Sequence, residues 1–341
     1  MEFFKLLSLL FLLIWIKADV IKLGAILPLS GDASDIGRMA YEGISLKVEE
    51  LKKIGRNYEL VVEDTRSNVT DGVNAFRRMV DFQNIKIIFT TLSRHGMSLK
   101  ELAEKNRVLL FANNAHPYQT KDTSLVLRHM IIVDDDIKTL ANEIVKAKYH
   151  KACIINHKDE WGDFAGKGLQ KKLSDLGVAN FREAVDLNQT DFRTVAIKLL
   201  KEQCDALVTF LFGPAQGLII KQSRELGFKG EIYSSINMSI TPSAQKAAGN
   251  YLKGTYYLDM PNSIEFANLY RERFYKDPPP ACEFYYRSVE IVDYAIQMTK
   301  SQDPETLVQY IKSLKIFNSS TGPVQILPSG DIPGRTVLAK F

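Results

Sequence analysis

The chain has 341 residues, 45% hydrophobic and 25% charged, with 20 Gly and 12 Pro. That is the make-up of a globular protein long enough for two domains, and it excludes a disordered or fibrous chain. The 44 basic and 40 acidic residues are interspersed without a Lys/Arg block of the kind that tracks phosphates, so nucleic acid is not an expected partner.

At the N-terminus, Lys5 precedes an apolar run from Leu6 to Ile16, which ends in Lys17-Ala18-Asp19. A basic residue, a short apolar core and a small residue are the parts of a secretory signal peptide, expected at 1–18 with cleavage after Ala18. The run is short for a bilayer span, and no Cys follows it to carry a lipid anchor.

Beyond the leader, short apolar strands alternate with amphipathic helices. Strands are expected at 21–27, 58–63, 85–89 and 108–112. Between them Ala40, Ile44, Val48 and Leu51, then Val73, Phe76 and Val80, recur at helical spacing, and a further helix is expected at 97–106. The rhythm restarts with a helix at 136–148, a strand at 152–155, a helix at 162–176, a strand at 206–210, a helix at 214–226 and a strand at 231–234. Helices at 263–275, 282–300 and 304–314 follow, then a hairpin around Pro328-Ser329-Gly330-Asp331. Two runs of alternating strand and helix imply an α/β protein with two doubly wound parallel-sheet lobes. In such sheets ligands bind beyond the carboxyl ends of the strands, which directs attention to the loops after Leu27, Phe89, Ala112, Ile155, Phe210 and Ser234.

The three cysteines, Cys153, Cys204 and Cys282, form neither a disulfide framework nor a zinc spacing. Cys153 and Cys204 each stand near a strand start and can pair if those strands are neighbours, although buried free thiols are the commoner outcome. The patterns GxSxG, HExxH and the P-loop are missing, and Gly166-Lys167-Gly168 is only half a dinucleotide fingerprint inside a helix. His95 and His116 lack a third ligand. The expectation is a protein that is not an enzyme, with no metal and no cofactor.

Five segments resemble the branched-chain amino-acid-binding family of periplasmic proteins. Ile21-Lys22-Leu23-Gly24 through Pro28-Leu29-Ser30-Gly31 is similar to its opening IKIGxxxPLTG. The stretch from Leu109 to Pro117 is similar to PLISPxAT, and the stretch from Ala152 to Gly162 to xAIIxDxxxYG. Leu226-Gly227-Phe228 and Thr321-Gly322-Pro323 through Gly330-Asp331 complete the order. The resemblance implies a type I periplasmic-binding fold with three crossovers, near Ile132-Val133, Asp259-Pro261 and Thr321-Gly322. One lobe would then comprise 19–132 and 262–322, and the other 133–261 and 323–341. It also implies a monomer in the periplasm that closes on a small solute and delivers it to the permease subunits of an ABC transporter. A sensory module reporting to a membrane receptor or kinase has the same fold and is the alternative.

By the same resemblance, ligand-binding residues are expected at Leu92, Ser93, Arg94, Asn114, Ala115 and His116 on the first lobe, and at Trp161, Phe212 and Asn237 on the second. Hydroxyl and amide donors at a helix start suit a carboxylate, although Ser93 is equally a candidate helix N-cap. The family's acid for a ligand ammonium is missing, since the stretch reads Ser234-Ser235-Ile236-Asn237; Asp159 or Glu160 is the remaining source of a carboxylate. With Arg94 and His116 as potential cations, a carboxylate or small amide is expected rather than leucine, isoleucine or valine.

Overall fold

The computed structural model describes residues 20–341, so the leader expected at 1–18 lies outside the described residues. The first lobe is laid down as β1 (Ile21–Leu27), α1 (Ser34–Lys53), β2 (Tyr58–Asp64), α2 (Val69–Arg77), β3 (Ile87–Thr91), α3 (Ser93–Lys105), β4 (Leu109–Asn113) and β5 (Val126–Met130). Strands β3, β4 and β5 are buried along their whole length, because helices cover both faces of a parallel sheet.

The second lobe repeats the pattern. It runs α4 (Val133–Lys146), β6 (Lys151–His157), α5 (Glu160–Asp175), β7 (Ala179–Val185), α6 (Arg193–Lys201), β8 (Ala206–Phe210), α7 (Gly213–Glu225) and β9 (Glu231–Ser234). The short α8 (Asn237–Ile240) and α9 (Pro242–Ala248) then lead into β10 (Tyr256–Asp259). The chain next returns to the first lobe with α10 (Ile264–Phe274), α11 (Cys282–Thr299) and α12 (Pro304–Ser313). Helix α11 lies against α1 at Gly43, where an added Cβ would stand 2.5 Å from the Cys282 carbonyl oxygen, so only glycine lets the two helices come this close.

A hairpin of β11 (Ile316–Ser319) and β12 (Gly322–Gln325) precedes β13 (Asp331–Pro333) and β14 (Val337–Lys340). Among the described residues the sheets order as β13-β5-β4-β3-β1-β2 and β14-β10-β9-β8-β6-β7, with β14 antiparallel to β10 and the other ladders of both sheets parallel. The hairpin expected around Pro328-Asp331 is instead the turn that delivers β13 to the edge of the first sheet.

The chain passes between lobes after Met130, after Asp259 and between Pro333 and Val337. The last passage differs from the expected Thr321-Gly322, which is the turn of the β11–β12 hairpin. Asp331–Pro333 pairs in parallel with Arg128–Met130, so residues 323–333 stay with the first lobe. The physical reason is Arg128, which is buried in β5 and places its Nε 2.7 Å from Asp331 Oδ1.

Cys153 and Cys204, for which free thiols were the commoner expectation, form a disulfide. Parallel pairing of Ala152 with Ala206 brings the residue after one beside the segment leading into the other, with the two Cα atoms 5.7 Å apart. Cys282 is free and buried. Buried apolar side chains form one cluster that runs through the facing layers of both lobes, and separate clusters under the outer helices of each.

Candidate functional site

Between the lobes, at the carboxyl ends of the strands, lies a small cavity. It is lined by Thr91, Leu92 and Ser93 after β3, by Asn113, Asn114 and Ala115 after β4, and by Ile36 and Met130. Trp161, Phe212, Ile236, Asn237 and Ile240 line it from the second lobe. Its volume of about 40 Å³ holds a few waters, so the clamp is closed and a solute needs it to open.

The first-lobe wall is built by a strand end running straight into a helix. Leu92 caps α3 with φ +61° and ψ 135°, a conformation a leucine holds only when its surroundings impose it, and no side chain caps the helix. Ser93 is therefore the first helical residue and not the N-cap. Its hydroxyl makes no hydrogen bond to any described residue, and the backbone N–H groups of Ser93, Arg94, His95 and Ala115 find no acceptor among them either. Free N–H groups at a helix start, beside a free hydroxyl, form an anion receptor.

Thr91, Asn113, Asn114 and the Asn237 side-chain N–H on the wall are already engaged. Thr91 Oγ1 lies 2.6 Å from Tyr285 Oη and donates to Asn113 O; Asn113 Nδ2 donates to Ser288 Oγ. Asn114 receives the His116 N–H and donates to Gln119 Oε1, which fixes the loop presenting Ala115. Across the cleft Asn237 Nδ2 donates to Leu211 O, so this amide fastens α8 to the end of β8. Trp161 and Phe212 pack together at 5.0 Å between ring centroids. Phe212 also stacks on His157, whose Nδ1 accepts the Phe212 N–H. Burial lowers the pKa of that imidazole to about 4, so it is neutral near pH 7.

Seven of the nine expected site residues line the cavity: Leu92, Ser93, Asn114, Ala115, Trp161, Phe212 and Asn237. The side chains of Arg94 and His116 do not. Arg94 turns toward carboxylates, with Nη2 3.1 Å from Asp32 Oδ1 and Nη1 3.5 Å from Asp159 Oδ2. His116 packs against the rings of Tyr118 and Phe164, and burial first, then Arg128, brings its pKa down to about 4. The two cations inferred for the pocket are thus absent from it: one is neutralised by ion pairing and the other is uncharged.

Among the described residues no carboxylate lines the cavity. Asp159 is buried, accepts the Gly162 N–H as the cap of α5 and faces Arg94; burial raises its pKa to about 6. Glu160 is half exposed, with Oε1 3.8 Å from His116 Nε2. Thr91, Asn113, Ile36, Met130, Ile236 and Ile240 were not foreseen as lining residues. Thr91 and Asn113 are the last residues of their strands, the position from which an open α/β sheet presents groups to a ligand.

Comparison with known proteins places this geometry. The family model described as periplasmic binding protein matches residues 20–337. The Leu/Ile/Val/Thr-binding protein of Salmonella typhimurium is 23% identical over 331 residues, covering 93% of this chain and 90% of its own. Among solved structures, the leucine-binding protein LivK of Thermotoga maritima superposes with a TM-score of 0.87 at 24% identity, covering 94% of this chain and 95% of its own. A solute-binding protein of an ABC transporter from R. palustris, in complex with benzoate, gives 0.84 at 16% identity, covering 94% and 93%.

Proposed function

Because the chain belongs to the periplasmic binding protein family, whose members bind solutes and are not enzymes, we propose that it captures a small monocarboxylate with an apolar body and passes it to an ABC transporter. The observation that carries this reading is the asymmetry of the cavity: free anion donors at Ser93 and Ala115, apolar walls, and no acidic side chain to receive an ammonium. An amino acid would bury its ammonium there without a carboxylate, a costly arrangement. A benzoate- or isovalerate-like anion needs only the donors and the walls. That the fold accommodates such solutes is supported by the benzoate-bound relative.

The carboxylate first meets the Ser93 hydroxyl and the N–H groups of Ser93 and Ala115 on the open first lobe. Closure then brings Trp161 and Phe212 over the apolar end and excludes water, which strengthens each charge-assisted hydrogen bond. Release follows reopening at the permease. The leader at 1–18 directs the chain out of the cytoplasm, and the Cys153–Cys204 disulfide suits the oxidising compartment beyond.

Calorimetry with benzoate, isovalerate and leucine tests the reading. The two carboxylates are expected to bind at least about tenfold more tightly than leucine, the equivalent of one charged-group hydrogen bond. Tighter binding of leucine overturns it.

A further inference from the structure

We infer that Arg94 is a latch, holding the two lobes together through Asp32 and Asp159, and that the clamp therefore closes without solute. The inference concerns closure alone and does not depend on which solute the cavity takes. Arg94 is the second residue of α3 in the first lobe, and its side chain is 9% exposed. Nη2 donates to both oxygens of Asp32, at 3.1 and 3.2 Å, within the same lobe. Nη1 lies 3.5 Å across the cleft from Asp159 Oδ2, an ion pair without a hydrogen bond, and the Asp159 side chain, at the start of α5 in the second lobe, is 5% exposed. The guanidinium carbon also lies 5.8 Å from the centre of the Phe212 ring, a second contact with the opposite lobe. One arginine therefore touches two separate elements of the second lobe while a carboxylate of its own lobe fixes its direction.

The backbone makes room for this. Gly213 has φ +54°, and a Cβ there would stand 2.7 Å from the Asp32 carbonyl oxygen. Glycine at the start of α7 thus lets the Asp32 loop press against the second lobe and hold its carboxylate beside Arg94. The other charges in the neighbourhood do not compete. His95 and His157 are both neutral near pH 7, their pKa values lowered to about 4 chiefly by burial. A planar guanidinium engaged by two carboxylates is matched poorly by an ammonium, so lysine is expected to restore the latch only in part.

The expected consequence is that the solute-free protein is already largely closed. Small-angle X-ray scattering on the mature chain, dialysed free of carried solute, reads this directly through the radius of gyration. Wild type is expected to be compact. Arg94→Ala is expected to swell toward the open form, Asp159→Asn to swell less because it leaves the Phe212 contact in place, and the double variant to swell no further than Arg94→Ala, because the Asp159 contact is already lost with the arginine. Arg94→Lys falls between wild type and Arg94→Ala. Gly213→Ala, which displaces the Asp32 loop without touching a charge, swells as well. A retained cooperative melting transition shows that the variants are folded. An Arg94→Ala profile identical to that of folded wild type overturns the inference, as does a wild type that is as open as the variant. Binding of benzoate or isovalerate, where measurable, is expected to weaken at least about tenfold in Arg94→Ala through the lost closure. A solute that binds nowhere in the cleft leaves the scattering result untouched.

Discussion

Two residues carry the sharpest expectations at the scale of single side chains. Ser93 offers the one cavity hydroxyl without a hydrogen-bond partner among the described residues, so Ser93→Ala removes a donor to the solute and disturbs nothing in the free protein. Carboxylate affinity is expected to fall about 10- to 100-fold in calorimetry while the melting temperature holds, because a hydrogen bond to a charged group contributes about 1.5–3 kcal/mol. Asp136 is the second. It is buried at the hinge with one oxygen bonded to Thr336 and the other unpaired. Burial raises its pKa to about 8, so the native state holds a proton that the unfolded chain releases near pH 4. That contribution to stability is complete below pH 4 and is lost as pH rises through about 8. Asp136→Asn, neutral at every pH, is expected to melt at least about 3 °C above wild type at pH 8 and close to it at pH 4, where the unfolded carboxyl is itself largely protonated. Equal melting temperatures at both values would exclude the buried proton. Of these residues only Ser93 was legible in the sequence. Asp136 stands in the run Val133-Asp134-Asp135-Asp136, and nothing local says which acid the hinge encloses.

Among the elements, what sequence reading found and missed follows from how each is surrounded. Strands β1, β8 and β9 have the bounds that periodicity gives, because they are apolar runs flanked by turns or helix starts. Strand β5 was missed because it reads Val126-Leu127-Arg128-His129-Met130, and a strand with two basic residues looks exposed. Its arginine is buried only because Asp331, over two hundred residues later, comes to meet it. Strand β7 was missed for the opposite reason: it is an edge strand, half exposed along most of its length, so its pattern is mixed. The third crossover was misplaced by the same long-range pairing that hides β5. The disulfide is likewise invisible until β6 and β8 are known to be neighbours. It closes a separation of 51 residues within the second lobe, and a loop of that size corresponds to about 4 kcal/mol of chain entropy in the unfolded state. Reduction is therefore expected to lower the melting temperature by several degrees while leaving solute affinity unchanged, since neither cysteine lines the cleft. A loss of affinity on reduction would mean that the disulfide sets the position of the α5 or α7 start.

For the whole molecule, the question is how closure is divided between charge and apolar contact. In the closed clamp one hydrophobic cluster is continuous from the first lobe to the second, and Trp161, Phe212, Ile236 and Ile240 are part of it. Opening exposes those walls to water, so closing buries apolar surface whether or not a solute is present. Burial of apolar surface carries a negative heat-capacity change. If Arg94 holds the lobes together beforehand, most of that change has taken place before solute arrives, and the binding step itself shows little of it. In Arg94→Ala the lobes begin apart, and binding has to close them. Calorimetric titration of benzoate or isovalerate between about 10 and 35 °C separates the two cases, the window lying below ordinary domain melting. The binding enthalpy of the variant is expected to fall more steeply with temperature than that of wild type, alongside its weaker affinity. Parallel slopes would mean that both proteins begin from the same degree of closure, and the weaker affinity of the variant would then have to come from contact with the solute itself.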